Sequence, residues 1–288
     1  ASFVSALLQQ VSTQSSKNLM ISKFRCWEAL IKNRELLWRL CEREIVSRYR
    51  GSVLGWGWTL LQPMLMLAVY TFVFSTVFKA RWPDLQQAGS LGFAINLFAG
   101  LIVFNLASEC IGKAPTLILS QPSYVKKVVF PLELLSASAV GAACFHALTS
   151  LAVLALFKML ATGGIPITAI LLPVVWIPLI CGCAGLAWLL SATGVYLRDL
   201  PQLVNVLLSM LMFLSAVFYP ISALPERWQP VLLLNPLVHV IEATRAVLVQ
   251  GAPPSILYIL LGIPLSLGFS EFSFRLFEKA RRGFADVI

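Results

Sequence analysis

The stretch MLATGGIPITAILLPVVWIPLICGCAGLAWLLSATGVYL, residues 159–197, contains no charged side chain. An α-helix needs about 20 apolar residues to cross roughly 30 Å of hydrocarbon, so this length has room for one or two membrane spans. Its TGGIP segment at 162–166 is typical of a turn, because glycine and proline interrupt helices. We therefore predict one span after that turn, at 167–190.

Further charge-free stretches of similar character lie on both sides of this one. They occur at 51–78, 85–108, 134–157, 200–225 and 246–270. Each is long enough for a helix that crosses a bilayer. The sequence thus predicts an all-α integral membrane protein with six transmembrane helices. We place them at 56–78, 93–111, 134–157, 167–190, 203–219 and 255–274.

The overall composition agrees with a membrane protein and excludes other classes. Of the 288 residues, 58% are hydrophobic and 12% are charged, against about 45–50% and about 25% in soluble globular domains. The apolar runs are continuous, whereas barrel strands alternate in polarity. The first 22 residues have no continuous apolar core, so we expect no cleaved signal peptide. We expect no nucleic-acid partner despite the net charge of +9, because basic residues in membrane proteins chiefly set the orientation.

The distribution of lysine and arginine orients the six predicted spans. Seventeen of the 22 basic residues fall on the side that holds both termini. Cytoplasmic loops are enriched in these residues, so both termini are expected in the cytoplasm and the protein in the inner membrane. The remaining five basic residues are at positions 79, 81, 158, 227 and 245.

Two segments outside the spans have distinctive patterns. Residues 23–52 predict an amphipathic helix in the membrane interface, with Trp27 and Trp38 on its apolar face. This helix is either a plain anchor or a collar that touches a partner or an anionic lipid headgroup. It follows a tail at 1–22 and precedes a six-helix domain at 53–274, after which a basic cytoplasmic tail occupies 275–288.

The segment 220–254 is too apolar for a solvated loop, and it is broken by prolines at 220, 225, 230 and 236. We predict an outer re-entrant hairpin of two short helices, because irregular backbone is tolerated at depth where protein or a water-filled cavity covers it. The alternative is an ordinary loop on the surface.

Residues that could carry chemistry are few. The chain has no phosphate-binding GxxxxGK[ST] motif, no HExxH motif and no cysteine–histidine cluster. We therefore expect no catalytic site, no metal and no cofactor in this chain. His146 and His239 are interpreted as packing residues, whereas Glu109 and Glu271 fall within or beside apolar segments, where carboxylates are functional candidates.

Four motifs occur in order along the chain. RYRGSVLGWGW at 48–58 with QP at 62–63 opens the first span, and KKVVFPLE occupies 126–133. YLRDL follows at 196–200. The outer segment contains Tyr219-Pro220, Leu224-Pro225, Asn235-Pro236 and Arg245. From about residue 30 to the C-terminus the sequence resembles the ABC-2 class of ATP-binding-cassette exporters, and most closely the membrane subunits that export polysaccharides or polyol phosphates.

The resemblance implies an assembly and a substrate. Two copies of such a subunit form a pore among the membrane lipids, and two copies of a cytoplasmic ATPase subunit bind beneath it and hold ATP and Mg. The substrate is a polysaccharide on a polyprenyl diphosphate, most like O-antigen. ATPase coupling is expected in the cytoplasmic loops and the amphipathic helix. The loop candidates are Lys126, Lys127, Phe130, Pro131, Arg198 and Asp199.

Candidate substrate contacts follow from the same interpretation. Arg48 and Arg50 lie where the collar enters the membrane, and guanidinium groups bind phosphates with paired hydrogen bonds. Positive-inside anchoring explains them equally well. Aromatic rings offer flat faces to a sliding glycan, or they face lipid or pack between helices. The candidate rings are Tyr70, Phe74, Phe98, Phe213, Phe218 and Tyr219.

Gly51 and Gly55 fit a flexible bend between collar and first span, or a helix–helix contact of the GxxxG type. Other functions also remain open from the sequence. A teichoic acid or capsule exporter and a drug or small-lipid exporter belong to the same class. A membrane-embedded glycosyl- or acyltransferase needs a pair of acids or histidines in one cavity, and the sequence shows no such pair.

Overall fold

The computed structural model describes residues 25–77, 89–126 and 130–287, and these residues form helices and turns without a strand. The tail at 1–22 and Lys127 lie outside the described residues. The helices are α1 (Arg25–Lys32), α2 (Arg34–Tyr49), α3 (Trp58–Thr71), α4 (Gly89–Lys113), α5 (Pro122–Val125), α6 (Glu133–Thr162), α7 (Leu172–Tyr196), α8 (Leu200–Leu214), α9 (Gln229–Leu233), α10 (Pro236–Arg245), α11 (Ile256–Ala280) and α12 (Phe284–Val287).

Five helical segments within the described part are long and apolar enough to cross a membrane. They contain α3, α4, α6, α7 and α11, and correspond to the first four and the sixth of the spans predicted from the sequence. The prediction of an all-α membrane protein is therefore confirmed. The first span continues beyond α3 as a π-helix, Phe72–Val77, and its predicted end at residue 78 lies outside the described residues.

The fifth predicted span, 203–219, differs from the structure. Helix α8 has 15 residues and ends at Leu214, so it is about 22 Å long and shorter than the roughly 30 Å hydrocarbon core. The helix stops because Ala216 has a φ of 52°, in the left-handed region that a helix cannot continue through. The Ser215 hydroxyl donates back to the Leu211 carbonyl at 2.6 Å.

Glycines with positive φ explain two other boundaries. Gly163 has a φ of 78° and ends α6, which confirms the turn expected at 162–166. Gly51 and Gly55 have φ values of 83° and 49°, so the chain bends between α2 and α3. These conformations favour the bend over the helix-contact interpretation of this pair.

The transmembrane helices pack closely at small residues. Helix α4 is the most buried of the candidate spans. Helices α7 and α11 meet at Gly185, where an added Cβ would lie 2.7 Å from the ring of Phe269. Near the C-terminal end of α7, Gly194 packs on the Pro115 carbonyl in the turn after α4. Larger side chains at either glycine would push these helices apart.

The amphipathic segment is two helices rather than one, with a break at Asn33. Helix α1 packs on α11, where the Cys26 amide donates to Glu271 at 3.0 Å. Helix α2 packs on α6, where Cys41 fills the space beside Gly141. Trp38, in contrast, is 74% exposed. One part of the predicted apolar face therefore packs on other helices, and another part is exposed.

The outer segment contains two short helices, α9 and α10, as the sequence predicted. A π-helix, Ala246–Gln250, extends α10 and ends at a glycine of positive φ. The carbonyls of this extension accept hydrogen bonds from Lys158 and Thr168, including 2.7 Å from Lys158 Nζ to Leu248. The hairpin is thus fastened to the neighbouring helices, and its re-entry into the membrane stays a prediction.

Candidate transport path and coupling surfaces

A cavity of about 630 Å³ lies between α2, α3, α4 and α6. One face of α4 lines it with residues three or four apart, as expected for neighbours on a helix. These are Phe98, Ile102, Asn105, Glu109 and Lys113. Its polar members Asn105, Glu109 and Lys113 lie on an otherwise buried membrane helix and require polar partners or water, so this cavity is a candidate binding site.

Charged side chains converge at one end of the cavity. Glu109 accepts hydrogen bonds from Arg48 Nη1 at 2.9 Å and from Lys113 Nζ at 3.2 Å. His146 Nδ1 lies 3.0 Å from both Glu109 oxygens, so its N–H donates to the carboxylate. Lys113 also donates to Glu44 at 3.2 Å. We call Glu44, Arg48, Glu109, Lys113 and His146 the polar cluster. It joins three helices and lines one end of the cavity, which we call its charged mouth.

The two arginines predicted for a diphosphate have different surroundings. Arg48 is in the polar cluster and lines the cavity. Arg50 caps the end of α2 and is exposed. Contact with a diphosphate stays a prediction for both.

Four of the six candidate rings form one row of aromatic side chains. Ring centroids are 6.5 Å apart for Tyr70–Phe74 and for Phe74–Phe218, and 5.6 Å apart for Phe213–Phe218. Phe93, which the sequence did not single out, stacks on Phe74 at 5.2 Å. We call Tyr70, Phe74, Phe93, Phe213 and Phe218 the aromatic row. Its spacing is that of ordinary aromatic contacts.

The other two candidate rings lie beside this row. Phe98 is buried and lines the cavity, as does Tyr70. The Tyr219 hydroxyl donates to the Phe213 carbonyl at 2.7 Å. Tyr70 therefore connects the cavity with the aromatic row, and a glycan contact at any of these rings stays a prediction.

Arg245 is completely buried and contacts the backbone just beyond the C-terminal end of α8. Its guanidinium donates to the carbonyls of Ala216 at 3.0 Å and Val217 at 2.7 Å, beyond the last turn of α8. It also donates to the Asn96 carbonyl of α4 at 3.1 Å and to Glu242 at 2.7 Å. This residue therefore supplies donors for buried carbonyls in the non-helical backbone that follows α8.

The remaining hairpin residues shape the chain between α8 and α10. Asn235 caps α10 by accepting from the Leu237 amide at 3.0 Å, and its amide donates to Ser215 at 2.9 Å. Pro236 is the first residue of α10, a position where the missing N–H costs nothing. Pro220 and Pro225 begin the two turns before α9, through carbonyls that accept from Ala223 and Trp228.

The loop before α6, predicted to be cytoplasmic, contacts both α2 and the basic tail. Phe130 stacks on Tyr124 with ring centroids 4.3 Å apart, and Arg43 of the collar donates to the Tyr124 hydroxyl. Arg281 donates to the Phe130 carbonyl at 2.7 Å and to Glu133 at 2.9 Å. The loop therefore links α2, α6 and the basic tail.

The other coupling candidates lie on or near the surface. Lys126 is exposed at the end of α5, and the Pro131 carbonyl accepts from Leu134 at the start of α6. Arg198 and Asp199 are exposed in the turn before α8. A partner contact stays a prediction at all of these positions.

Two features of the candidate site and coupling surface were not found from the sequence. The pairing of Glu109 with His146 joins residues 37 positions apart, and Arg281 was not connected with the first loop. The spacing of Asn105, Glu109 and Lys113 at steps of four was a usable signal for the stripe on α4. Among the described residues, no group of three His, Cys, Asp or Glu side chains has a metal-binding arrangement.

Comparison with known proteins gives a consistent assignment. The chain is 29% identical over 262 residues to an O-antigen export system permease protein of Myxococcus xanthus, which covers 90% of this chain and 97% of the relative. It is 26% identical over 226 residues to a polysialic acid transport protein of Escherichia coli, with 78% and 83% covered. A capsule polysaccharide export inner-membrane protein of Neisseria meningitidis is 23% identical over 227 residues, with the same shares covered. The model of the ABC-2 type transporter family matches residues 35–249, and the chain belongs to this family.

Proposed function

We propose that this chain is the membrane-spanning subunit of an ATP-driven exporter of polysaccharide carried on a polyprenyl diphosphate, most like O-antigen. The observation that carries the proposal is the aromatic row beside the polar cavity, in a chain whose relatives are named as polysaccharide export proteins. Flat rings with polar edges suit weak, repeated contacts with a sliding sugar chain. A capsule exporter is the second candidate, supported by the name of the Neisseria meningitidis relative, which has lower coverage.

The energy source in this proposal is a separate ATPase. The chain has no phosphate-binding loop motif, and the exposed cytoplasmic residues Lys126, Arg198 and Asp199 are available for a partner. Two copies of the chain and two ATPase subunits would form the exporter in the inner membrane, with both termini in the cytoplasm.

The test replaces the rings while it keeps apolar volume. The combined variant Tyr70→Leu, Phe74→Leu, Phe213→Leu and Phe218→Leu removes the flat faces, and leucine favours membrane insertion at least as well. Surface polysaccharide, normalised to membrane-inserted protein, is measured in cells that depend on the variant. We expect export to fall by about tenfold or more, because each aromatic contact contributes about 0.5–1.5 kcal/mol.

A matched control changes two exposed rings outside the row, Phe72→Leu and Phe272→Leu. The control should export at the parental rate. Undiminished export by the fourfold variant would show that the aromatic row does not contact the substrate.

A further inference from the structure

Glu109 lies where nitrogen-bearing side chains from three helices meet. Three side chains converge on its carboxylate, namely Arg48, Lys113 and His146, with donor–acceptor distances between 2.9 and 3.2 Å. Two of these come from helices other than α4. A carboxylate with donors from three helices has the coordination that a phosphate group receives in a binding site.

The polar atoms of the side chains around Glu109 are only partly paired. Within the described residues, Arg48 uses Nη1 alone, so Nε and Nη2 have no protein partner. Nε2 of His146 is buried and has no partner in the described part of the chain. Buried polar atoms are nearly always paired in a complete arrangement. The cluster therefore has unused capacity for hydrogen bonds.

The charges of the cluster balance only because of its carboxylates. Arg48 and Lys113 face Glu109 and Glu44. Without the Glu109 charge, the mouth of the cavity would be positive and would attract an anion. Met66, Leu101 and Ile102 line other parts of the same cavity. A charged mouth with an apolar lining beside it suits the head of an amphiphile.

We propose that Arg48, Lys113 and His146 form a binding site for a phosphate-class headgroup, and that Glu109 is an internal competitor that occupies this site until the headgroup displaces it. The inference rests on the proposed function, of which it names the entry step. A diphosphate carries more charge than one carboxylate, and it uses the free guanidinium edge of Arg48 for paired hydrogen bonds. The headgroup therefore takes over the donors that Glu109 holds.

Binding is measured on the purified full chain in uncharged phosphatidylcholine nanodiscs by isothermal titration calorimetry. The two probes are inorganic pyrophosphate and farnesyl diphosphate. Glu109→Gln removes the competing charge, and it should bind at least one probe about tenfold more tightly, since a charged hydrogen bond contributes at least the ~1.4 kcal/mol that equals this factor. Glu35→Gln is the matched control, because it removes an exposed carboxylate elsewhere on the same helix as Arg48 and should leave binding unchanged.

A double variant assigns the gain to the site. Adding Arg48→Gln to Glu109→Gln should reverse the tighter binding. Equal gains for both probes identify the phosphates as sufficient, whereas a gain for farnesyl diphosphate alone identifies a lipid headgroup with a contribution from its chain. Both results support the proposal.

The proposal is overturned if Glu109→Gln binds both probes as Glu35→Gln does, or if the double variant keeps the gain. If Glu109→Gln is not monodisperse, Arg48→Gln alone replaces it and should weaken binding of farnesyl diphosphate about tenfold. Unchanged binding would then overturn the proposal. Export by the unaltered chain is scored separately, so failure of this site leaves the proposed function standing.

Discussion

Replacement of Arg245 by methionine should destabilise the protein more than any exposed substitution. Arg245 is fully buried and donates to three backbone carbonyls and one carboxylate. Methionine has a similar reach but no donor, so the carbonyls of Asn96, Ala216 and Val217 lose their side-chain partner. Each buried acceptor without a partner costs about 1–3 kcal/mol.

The magnitude follows from the number of acceptors. Three carbonyls give about 3–9 kcal/mol, and the lower part of this range applies because the cost of burying the guanidinium is removed at the same time. We expect a loss of about 3–5 kcal/mol, the value typical of breaking a buried charged pair. Arg245→Lys should lose less stability than Arg245→Met, because the ammonium keeps the charge and three donors. It should still lose some, since the guanidinium has five donors.

The assay is thermal unfolding of purified protein in detergent, followed by size-exclusion chromatography of the protein that remains monodisperse. Arg227→Met is the control, since Arg227 is exposed in the same outer segment and lies 5.8 Å above the ring of Trp228. An Arg245→Met protein as stable as this control would refute the reasoning that the guanidinium holds the end of α8.

Four further predictions concern the cytoplasmic side and the energy source. Cysteine introduced at Lys126 should react with an impermeant maleimide only from the cytoplasm, and labelling from outside would contradict the proposed topology. At pH 7 the native Cys26 should stay unlabelled, because burial and the neighbouring Glu271 raise the pKa of its thiol to about 12. The reactive thiolate forms only near that pH. Alkylation of Cys26 as fast as at the introduced cysteine would argue against its buried position. Phe130→Ala should reduce ATPase-coupled export severalfold at normal expression, because the ring stacks on Tyr124 in the loop that links α2 and the basic tail. Export at the parental rate would show that this loop is not part of the coupling surface. The isolated chain should show no ATP hydrolysis, measured by phosphate release against a mock purification, and turnover above that background would contradict the need for a partner ATPase.

Hydropathy predicted the long helices well because a bilayer imposes their length and polarity. The turn at 162–166 also follows from local sequence, since its glycine takes a positive φ. The end of α8 does not follow from composition. Residues 203–219 carry no charge, and the helix stops because Ala216 adopts a conformation that distant Arg245 stabilises through two carbonyls. A tertiary contact therefore decided what local propensity left open.

The same limit applies to the candidate site. Sequence analysis identified Arg48 and Tyr70 separately from their motif and residue type. Their common cavity depends on the packing of α2, α3, α4 and α6, which periodicity within one helix does not contain. Glu109 and His146 were considered separately in the sequence, whereas the structure joins them in one polar cluster through a 3.0 Å contact. Pairs across helices are the part of a membrane protein that a single sequence conceals.

The polar cluster and the aromatic row suggest different tasks because their contacts differ in strength. Charged hydrogen bonds at Arg48 and Lys113 are strong and suit a single recognition event at the mouth of the cavity. The rings of the row contribute weak contacts, which suit a chain that must keep moving. Tyr70 belongs to both features, since it lines the cavity and lies 6.5 Å from Phe74. A substrate with a charged head and a long sugar chain would need both features in this order, with its head recognised at the cluster and its sugars passed along the rings.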